Sequence, residues 1–149
     1  MKPIVLYSTL GGGARVAGTL GNTEKVAVEI ASELDCQCVK VGKDFDPSTL
    51  NLDNYDLVLV GTGIYGGRPN SNMLNYLKKI DLKKPLQFAL FITWAGAYKS
   101  DQRVFEKIRT VLESKKQRLL YNFFKCYGEG HSLFDKSMSA FWGARYLAW

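Results

Sequence analysis

The chain opens Lys2-Pro3-Ile4-Val5-Leu6-Tyr7-Ser8, passes through a glycine-rich segment from Thr9 to Asn22, and continues Thr23-Glu24-Lys25-Val26 into an amphipathic run that reaches Leu34. These residues read as a strand, an anion-binding loop and a helix. Ile4 to Tyr7 is a short, apolar, β-rich run of the kind buried in a parallel sheet. Thr23 is placed to cap the helix, and Glu24 suits its first turn. Val26, Ile30 and Leu34 recur four residues apart and form an apolar stripe, with small Ala27 and Ala31 beside it. A helix start carries unpaired N–H groups and a partial positive charge. Ser8, Thr19 and Thr23 bring hydroxyls to it, so a phosphate is the expected guest.

Working outward, Cys36 to Val41 reads as a second strand, with Val39 and Val41 on one face and Cys38 and Lys40 on the other. Cys36 and Cys38 are read as facing opposite sides of it, which suggests neither a disulfide nor a metal site. Gly42 to Asn54 is polar, and Asp46-Pro47-Ser48 starts a short helical turn over residues 47–52. Asp56-Leu57-Val58-Leu59-Val60-Gly61 is a buried central strand. Thr62 to Pro69 reads as a second glycine-rich loop. Asn70, Ser71 or Asn72 then caps a helix with Met73 or Leu74, Leu77 and Ile80 on its stripe. Gln87 to Thr93 is the fourth strand and Trp94 to Asp101 a third loop. Asp101 caps a helix that presents Val104, Phe105, Ile108, Val111 and Leu112. Arg118 to Cys126 reads as the fifth strand, and a last helix is expected over Phe134 to Leu147.

Strands alternating with helices predict an α/β fold, a parallel sheet covered by helices on both faces with right-handed crossovers. No linker divides residues 1–149, so one domain is expected. Such sheets bind ligands beyond the carboxyl ends of their strands, where strand order reverses. With 149 residues, 46% of them hydrophobic and 23% charged, the composition is that of a globular protein with a sizeable core. No apolar run approaches the ~20 residues that span a bilayer. The chain enters a strand at once, so no leader is expected, and three cysteines outside any framework suit a reducing cytoplasm. The net charge of +6 points to an acidic partner.

The order of the loops carries a family resemblance. With residues 9–18 set aside, the first loop reads Leu6-Tyr7-Ser8-Thr19-Leu20-Gly21-Asn22-Thr23-Glu24, which resembles the FMN-phosphate loop of the flavodoxins. Thr9-Leu10-Gly11 is echoed by Thr19-Leu20-Gly21, so the insert looks like a local duplication. The second loop, Gly61-Thr62-Gly63-Ile64-Tyr65-Gly66-Gly67-Arg68-Pro69, is similar to the flavodoxin loop whose aromatic–glycine pair packs on one face of the isoalloxazine; Tyr65 and Gly66 match that pair. The third, Thr93-Trp94-Ala95-Gly96-Ala97-Tyr98, resembles the loop that stacks an aromatic ring on the other face, with Tyr98 the better match and Trp94 its competitor. The resemblance covers about residues 3–126. It implies a flavodoxin-like three-layer sandwich with five parallel strands in the order 2-1-3-4-5. It implies FMN as cofactor, held by Ser8, Thr9, Thr19, Leu20, Gly21, Asn22 and Thr23, by Thr62, Gly63, Ile64, Tyr65, Gly66 and Gly67, and by Trp94, Ala95, Gly96 and Tyr98.

Two departures stand out. Gly67 and Arg68 occupy positions where flavodoxins commonly carry acidic residues, so reduced, anionic flavin is expected to be less disfavoured here. The insert from Thr9 to Gly18 is either a flap hinged at Gly11-Gly12-Gly13, with Arg15 reaching the phosphate, or a passive surface loop; the passive reading is favoured. It is not a nucleotide P-loop, because Thr19 stands where lysine is required. No nucleophile–base set is evident. His131 reads as a surface residue, and Asp44, Asp46 and Asp53 read as caps and solvated charges. The aromatic tail (Phe134, Phe141, Trp142, Tyr146, Trp149) reads as a closing helix packed on the sheet, so no membrane contact is expected. No basic cluster interleaved with aromatics calls for nucleic acid.

The reading that results is a monomeric cytoplasmic flavodoxin. It carries low-potential electrons one at a time, on non-covalently bound FMN, between redox proteins whose docking faces are acidic. Two alternatives stay open. One is an FMN-dependent oxidoreductase resembling flavodoxin-type protoporphyrinogen oxidase. The other is a flavodoxin-shaped interaction module without flavin. Whether the chain is itself an enzyme is left undecided.

Overall fold

Ile4, Val5 and Leu6 are fully buried, as consecutive apolar residues must be when both faces of their strand are covered. The computed structural model describes residues 1–9, 21–94, 99–121, 123–127 and 145–146. The strands are β1 (Pro3–Ser8), β2 (Gln37–Lys40), β3 (Leu57–Tyr65), β4 (Arg68–Pro69), β5 (Gln87–Trp94), β6 (Arg118–Leu119), β7 (Phe124–Tyr127) and β8 (Arg145–Tyr146). The helices are α1 (Asn22–Glu33), α2 (Ser71–Lys79) and α3 (Ser100–Ser114). The sheet runs β2-β1-β3-β5-β7-β8, with β6 also pairing β5. β1, β2, β3, β5, β6 and β7 are joined by parallel ladders. Counting β5 as the fourth strand and β6 with β7 as the fifth gives the expected 2-1-3-4-5 order.

Alternation along each strand divides the core into two layers. Ile4, Leu6, Val58, Val60, Phe88, Leu90 and Ile92 meet Met73 and Leu77 of α2 and Val104, Ile108 and Leu112 of α3. On the opposite face Val5, Tyr7, Leu59, Ala89, Phe91 and Phe124 meet Val26, Ala27 and Ala31 of α1. Gly61 sits opposite Phe91 in the β3–β5 register. The Phe91 ring fills the space that Gly61 leaves, for a Cβ there would lie 2.0 Å from Phe91 Cζ. Among the described residues no helix is long and apolar enough to cross a membrane.

Several local expectations are corrected. β3 does not stop at Gly61 but runs on to Tyr65, because Thr62 and Gly63 continue the parallel ladder to Ile92 and Thr93. The expected loop over Thr62–Pro69 is therefore mostly strand, with only Gly66 and Gly67 turning before β4 pairs back antiparallel. The fifth strand is broken between Leu119 and Phe124, where Phe123 stacks on Phe105 of α3 with ring centroids 4.9 Å apart. Thr23 does not cap α1: the N-cap is Gly21, and Thr23 lies inside the first turn. Asp101 does not cap α3 either; Lys99 does so with φ 62°, and the buried Asp101 carboxylate pairs with Lys125 Nζ at 2.6 Å. The expected turn over residues 47–52 forms as two short 3₁₀ turns, Pro47–Thr49 and Leu52–Asn54, the first capped by Asp46 at 2.9 Å from Ser48 N. The expected closing helix does not reach Tyr146, since Arg145 and Tyr146 pair antiparallel with Tyr127 and Cys126. The rest of that helix, His131 and the Gly128-Glu129-Gly130 turn lie outside the described residues.

Cys36 and Cys38 also correct the reading. Residues two apart in extended chain share a face, and both thiols pack against the α1-side layer. Both are free, and burial raises their pKa, that of Cys38 from its ordinary 9 to about 11, with Cys36 and Glu24 adding to the effect. On the other face Tyr76 is buried, its hydroxyl has no hydrogen-bond partner among the described residues, and burial raises its pKa from 10 to about 12.

Two measurements check this packing. Gly61→Ala is expected to cost about 1–3 kcal/mol by overpacking, because Phe91 is too enclosed to move aside; Gly63→Ala should cost less, since the Tyr65 ring it would meet is only half-buried. Urea midpoints of the two variants would show the reverse order if Phe91 can swing away. The second measurement concerns alkali. Cys38 and Tyr76 hold their protons more tightly folded than unfolded, so the stability they confer is complete below pH 9 and is lost as pH rises toward 11 and 12. Tyr76→Phe should leave stability at neutral pH unchanged or raised by about 1 kcal/mol, having removed an unsatisfied hydroxyl. It should also flatten the fall of the urea midpoint above pH 9; an unflattened fall assigns the alkaline loss to other groups.

Candidate functional site

The carboxyl ends of β1, β3 and β5 lie side by side, with Ser8 opposite Thr62 and Gly63 opposite Thr93. α1 opens at this edge. Its N-cap Gly21 is extended (φ −68°, ψ 157°) and supplies no side-chain cap, and the first intrahelical bond runs from Lys25 N–H to the Gly21 carbonyl at 3.0 Å. The N–H groups of Asn22, Thr23 and Glu24 are thus left without helical acceptors. Two side-chain bonds fix this turn to the sheet. The Thr23 and Thr93 hydroxyls meet at 2.7 Å, both buried, and the Tyr7 hydroxyl donates to Glu24 Oε1 at 2.7 Å. Burial, followed by the bond to Glu24 and its charge, pushes the Tyr7 phenol well above its usual range, so it remains a donor.

A second group of residues is held by the start of α2. The buried Ser8 hydroxyl lies 2.7 Å from the Val41 carbonyl and 2.9 Å from Asn70 Oδ1, and shares its one proton between them. Asn70 Oδ1 caps α2 by accepting from Asn72 N–H at 2.9 Å. The Thr62 hydroxyl accepts from Asn70 N–H at 2.8 Å and donates to the Gly63 carbonyl at 2.9 Å. The hydroxyls of Ser8, Thr23 and Thr62 therefore bind other parts of the fold. Among the described residues, the donors at this edge without a helical acceptor are the backbone N–H groups at the start of α1.

Beyond Thr62, Tyr65 is half-buried and its ring lies back over Gly63, where a Cβ would come within 2.7 Å of the phenol oxygen. Gly66 and Gly67 follow with φ of 57° and 74°, the left-handed pair of a two-residue hairpin turn, and a Cβ on either would meet nothing. Across from this turn stands α3. Gly66, Gly67 and Arg68 face Lys99, Gln102, Arg103, Glu106, Lys107 and Thr110 over an open cleft of about 830 Å³.

The structure thus brings Ser8, Gly21, Asn22, Thr23, Thr62, Gly63, Ile64, Tyr65, Gly66 and Gly67 to one edge of the sheet, with Thr9 directly after β1. The backbone of Trp94 ends β5 at the same edge. Thr19, Leu20, Ala95, Gly96 and Tyr98, with the rest of the insert, lie outside the described residues. Sequence reasoning missed Tyr7, Thr93 and the cationic row on α3. A threonine ending a buried strand beside a ligand loop was the available signal for Thr93, and recurrence four residues apart was the signal for the row.

The comparisons agree with this geometry. The flavodoxin domain family matches residues 16–141. The flavodoxin-like domain-containing protein BilS of Clostridioides difficile is 30% identical over 135 residues, covering 87% of this chain and 67% of its own. Oxidised Flavodoxin 2 from Bacillus cereus superposes with a TM-score of 0.64 at 20% identity, over 85% of this chain and 84% of the other. A flavoprotein in complex with FMN from Lactobacillus acidophilus superposes with a TM-score of 0.59 at 18% identity, over 80% of this chain and 89% of that one. On the strength of the family match across most of its length, this chain belongs to the flavodoxin domain family.

Proposed function

We propose that the chain is an electron-transfer flavoprotein that holds FMN non-covalently and passes electrons one at a time between redox proteins of the cytoplasm. The observation that carries this reading is the uncapped first turn of α1, fixed by Thr23 and Tyr7 to the same sheet edge that bears Tyr65, Gly66 and Gly67. A dianionic phosphate suits the N–H groups of Asn22, Thr23 and Glu24, which have no acceptor within the helix and carry the positive end of the helix dipole. Tyr65 offers an aromatic face, and Gly66 and Gly67 offer backbone that a planar ring can approach without meeting a side chain. Trp94 or Tyr98 would serve the opposite face, as the resemblance implies. When bound, FMN supplies the redox chemistry, while the chain binds it, orients it and sets the charge around it. The free thiols Cys36 and Cys38, held protonated by burial, support a reducing compartment.

The test separates phosphate binding from ring binding. The purified protein should show flavin absorption or acquire it on titration, and should bind FMN much more tightly than riboflavin. Asn22→Pro removes one N–H of the helix start while keeping the helix, because proline is accepted at the first helical position and Gly21 already has the extended conformation that must precede it. A hydrogen bond to a charged group is worth about 1.5–3 kcal/mol, so this variant should lose FMN affinity roughly tenfold or more with riboflavin affinity unchanged. Equal binding of FMN and riboflavin by the wild type would remove the phosphate site, and binding of neither would remove the flavin. Steady turnover of a small reductant with no acceptor protein would move the chain to the oxidoreductases.

A further inference from the structure

We propose that the cleft between the Gly66–Gly67 turn and α3 docks a carboxylate-rich face of the protein with which this chain exchanges electrons; the partner's redox role rests on the carrier reading above. Lys99, Arg103 and Lys107 recur four residues apart, so they form a row along one side of α3, about 12 Å from first to last. Arg68 faces the row from the hairpin, and all four side chains are exposed. Like charges at this spacing oppose helix formation, and a cation at the N-cap also opposes the helix dipole. The spacing of these charges therefore does not favour the helix.

Among the described residues, the charges of Arg68, Arg103 and Lys107 are not cancelled by an ion pair. Among the described residues Glu106 is the one acidic residue lining the cleft, and its carboxylate lies 2.6 Å from Arg109 Nη2, an ion pair formed outside that lining. Asp101, in the first turn of the same helix, is buried and bound to Lys125 at 2.6 Å. The positive end of α3, beside Lys99, adds to the same field.

Shape selects the class of occupant. A pocket built for a small ligand encloses most of its surface, whereas this cleft is open along its length and floored by helix. A row of cations about 12 Å long exceeds what one pyrophosphate can engage, and suits several carboxylates spread over a protein face. Gly66 and Gly67 line the cleft and directly follow Tyr65. A partner seated there is held at the sheet edge proposed to carry the flavin.

The experiment has two arms. In the first, a short polyglutamate peptide is titrated into flavin-free protein at low salt. Wild type should bind it in a salt-sensitive way, and the exposed double reversal Arg103→Glu/Lys107→Glu should weaken binding roughly tenfold or more. The control reversal Lys83→Glu/Lys84→Glu makes the same change in net charge elsewhere and should alter binding less than about twofold. Equal losses in the two variants overturn the cleft as a site and leave only net charge. So does NADP⁺ binding that is abolished by the Arg103/Lys107 reversal while peptide binding persists, which would assign the cleft to a dinucleotide.

In the second arm, FMN-loaded protein reduced with dithionite is reoxidised by ferricyanide or by hexaamminecobalt(III). Each acceptor takes one electron from the flavin, giving ferrocyanide or cobalt(II). The Arg103/Lys107 reversal should slow the anionic oxidant and speed the cationic one, by about fivefold or more at low ionic strength. Unchanged rates for both oxidants would show that the cleft does not serve the flavin edge. Failure to load FMN overturns the carrier reading and with it the partner's redox role, whereas failure of peptide discrimination overturns the cleft alone.

Discussion

Two hydroxyls facing each other at 2.7 Å, on Thr23 and Thr93, set the relation between α1 and the sheet on which the proposed flavin site depends. Each is buried, so each is satisfied by the other, and an apolar replacement on one side would strand a polar group on the other. The Tyr7–Glu24 bond adds a second tie, from β1 to the same turn. Together they fix both the height and the rotation of the helix start. With the turn so held, α1 can forgo a capping side chain: glycine at the N-cap costs only a few tenths of a kcal/mol relative to the best cappers. It leaves the N–H groups accessible where a serine or aspartate would have occupied one of them.

The same closeness explains the asymmetry of the core. The layer beneath α2 and α3 is filled by large side chains, Phe88, Met73, Leu77, Ile108 and Leu112 among them. The layer beneath α1 mixes Val5, Tyr7, Val26, Leu59 and Phe124 with the small Ala27, Ala31 and Ala89, and the bare face of Gly61 receives the enclosed Phe91 ring. Small residues let a helix approach a sheet closely, and a close helix brings its first turn down to the strand ends. Gly61 is thus part of the site without touching it: it makes room for Phe91, and Phe91 fills the layer that α1 closes.

The sequence made the architecture legible because the signals there are strong and local. Continuous apolar runs at Ile4–Tyr7, Leu57–Val60 and Phe88–Ile92 became buried parallel strands, and the stripe from Val104 to Leu112 became the buried side of α3. What escaped was set by neighbours distant in sequence. Gly63 reads as a loop residue, yet Thr93 on β5 holds it in the ladder, so β3 runs four residues beyond Gly61, its expected end. Thr23 and Asp101 have the chemistry of caps, but each found a buried partner across the fold, Thr93 and Lys125, and the caps passed to Gly21 and Lys99. The cysteine faces were misread by a parity error, which the two-residue period of a strand corrects. The strands that carry the proposed loops were visible in the sequence, but the internal bonding of the Ser8, Thr23 and Thr62 hydroxyls was not, because it depends on Val41, Asn70 and Thr93.

The extension of β3 has a consequence for the chemistry at its end. A long glycine loop would sample many conformations and lose entropy on meeting a ligand. Here the Ile64–Pro69 and Tyr65–Arg68 pairs clamp the turn to two residues, so Tyr65 and Arg68 are held opposite one another whether or not a ligand is present. Within that clamp, only glycine at both positions keeps two hairpin turns within reach. Both turns need positive φ at Gly66, and they differ in the peptide that joins it to Gly67. That peptide can turn over without shifting the strands, because neither glycine would meet a neighbour even if it carried a Cβ. The hairpin therefore holds the backbone of Tyr65 and Arg68 in register on either side of one adjustable amide. At the proposed flavin site, such an amide lets a hydrogen-bonding group follow a change of charge while the strands stay in place.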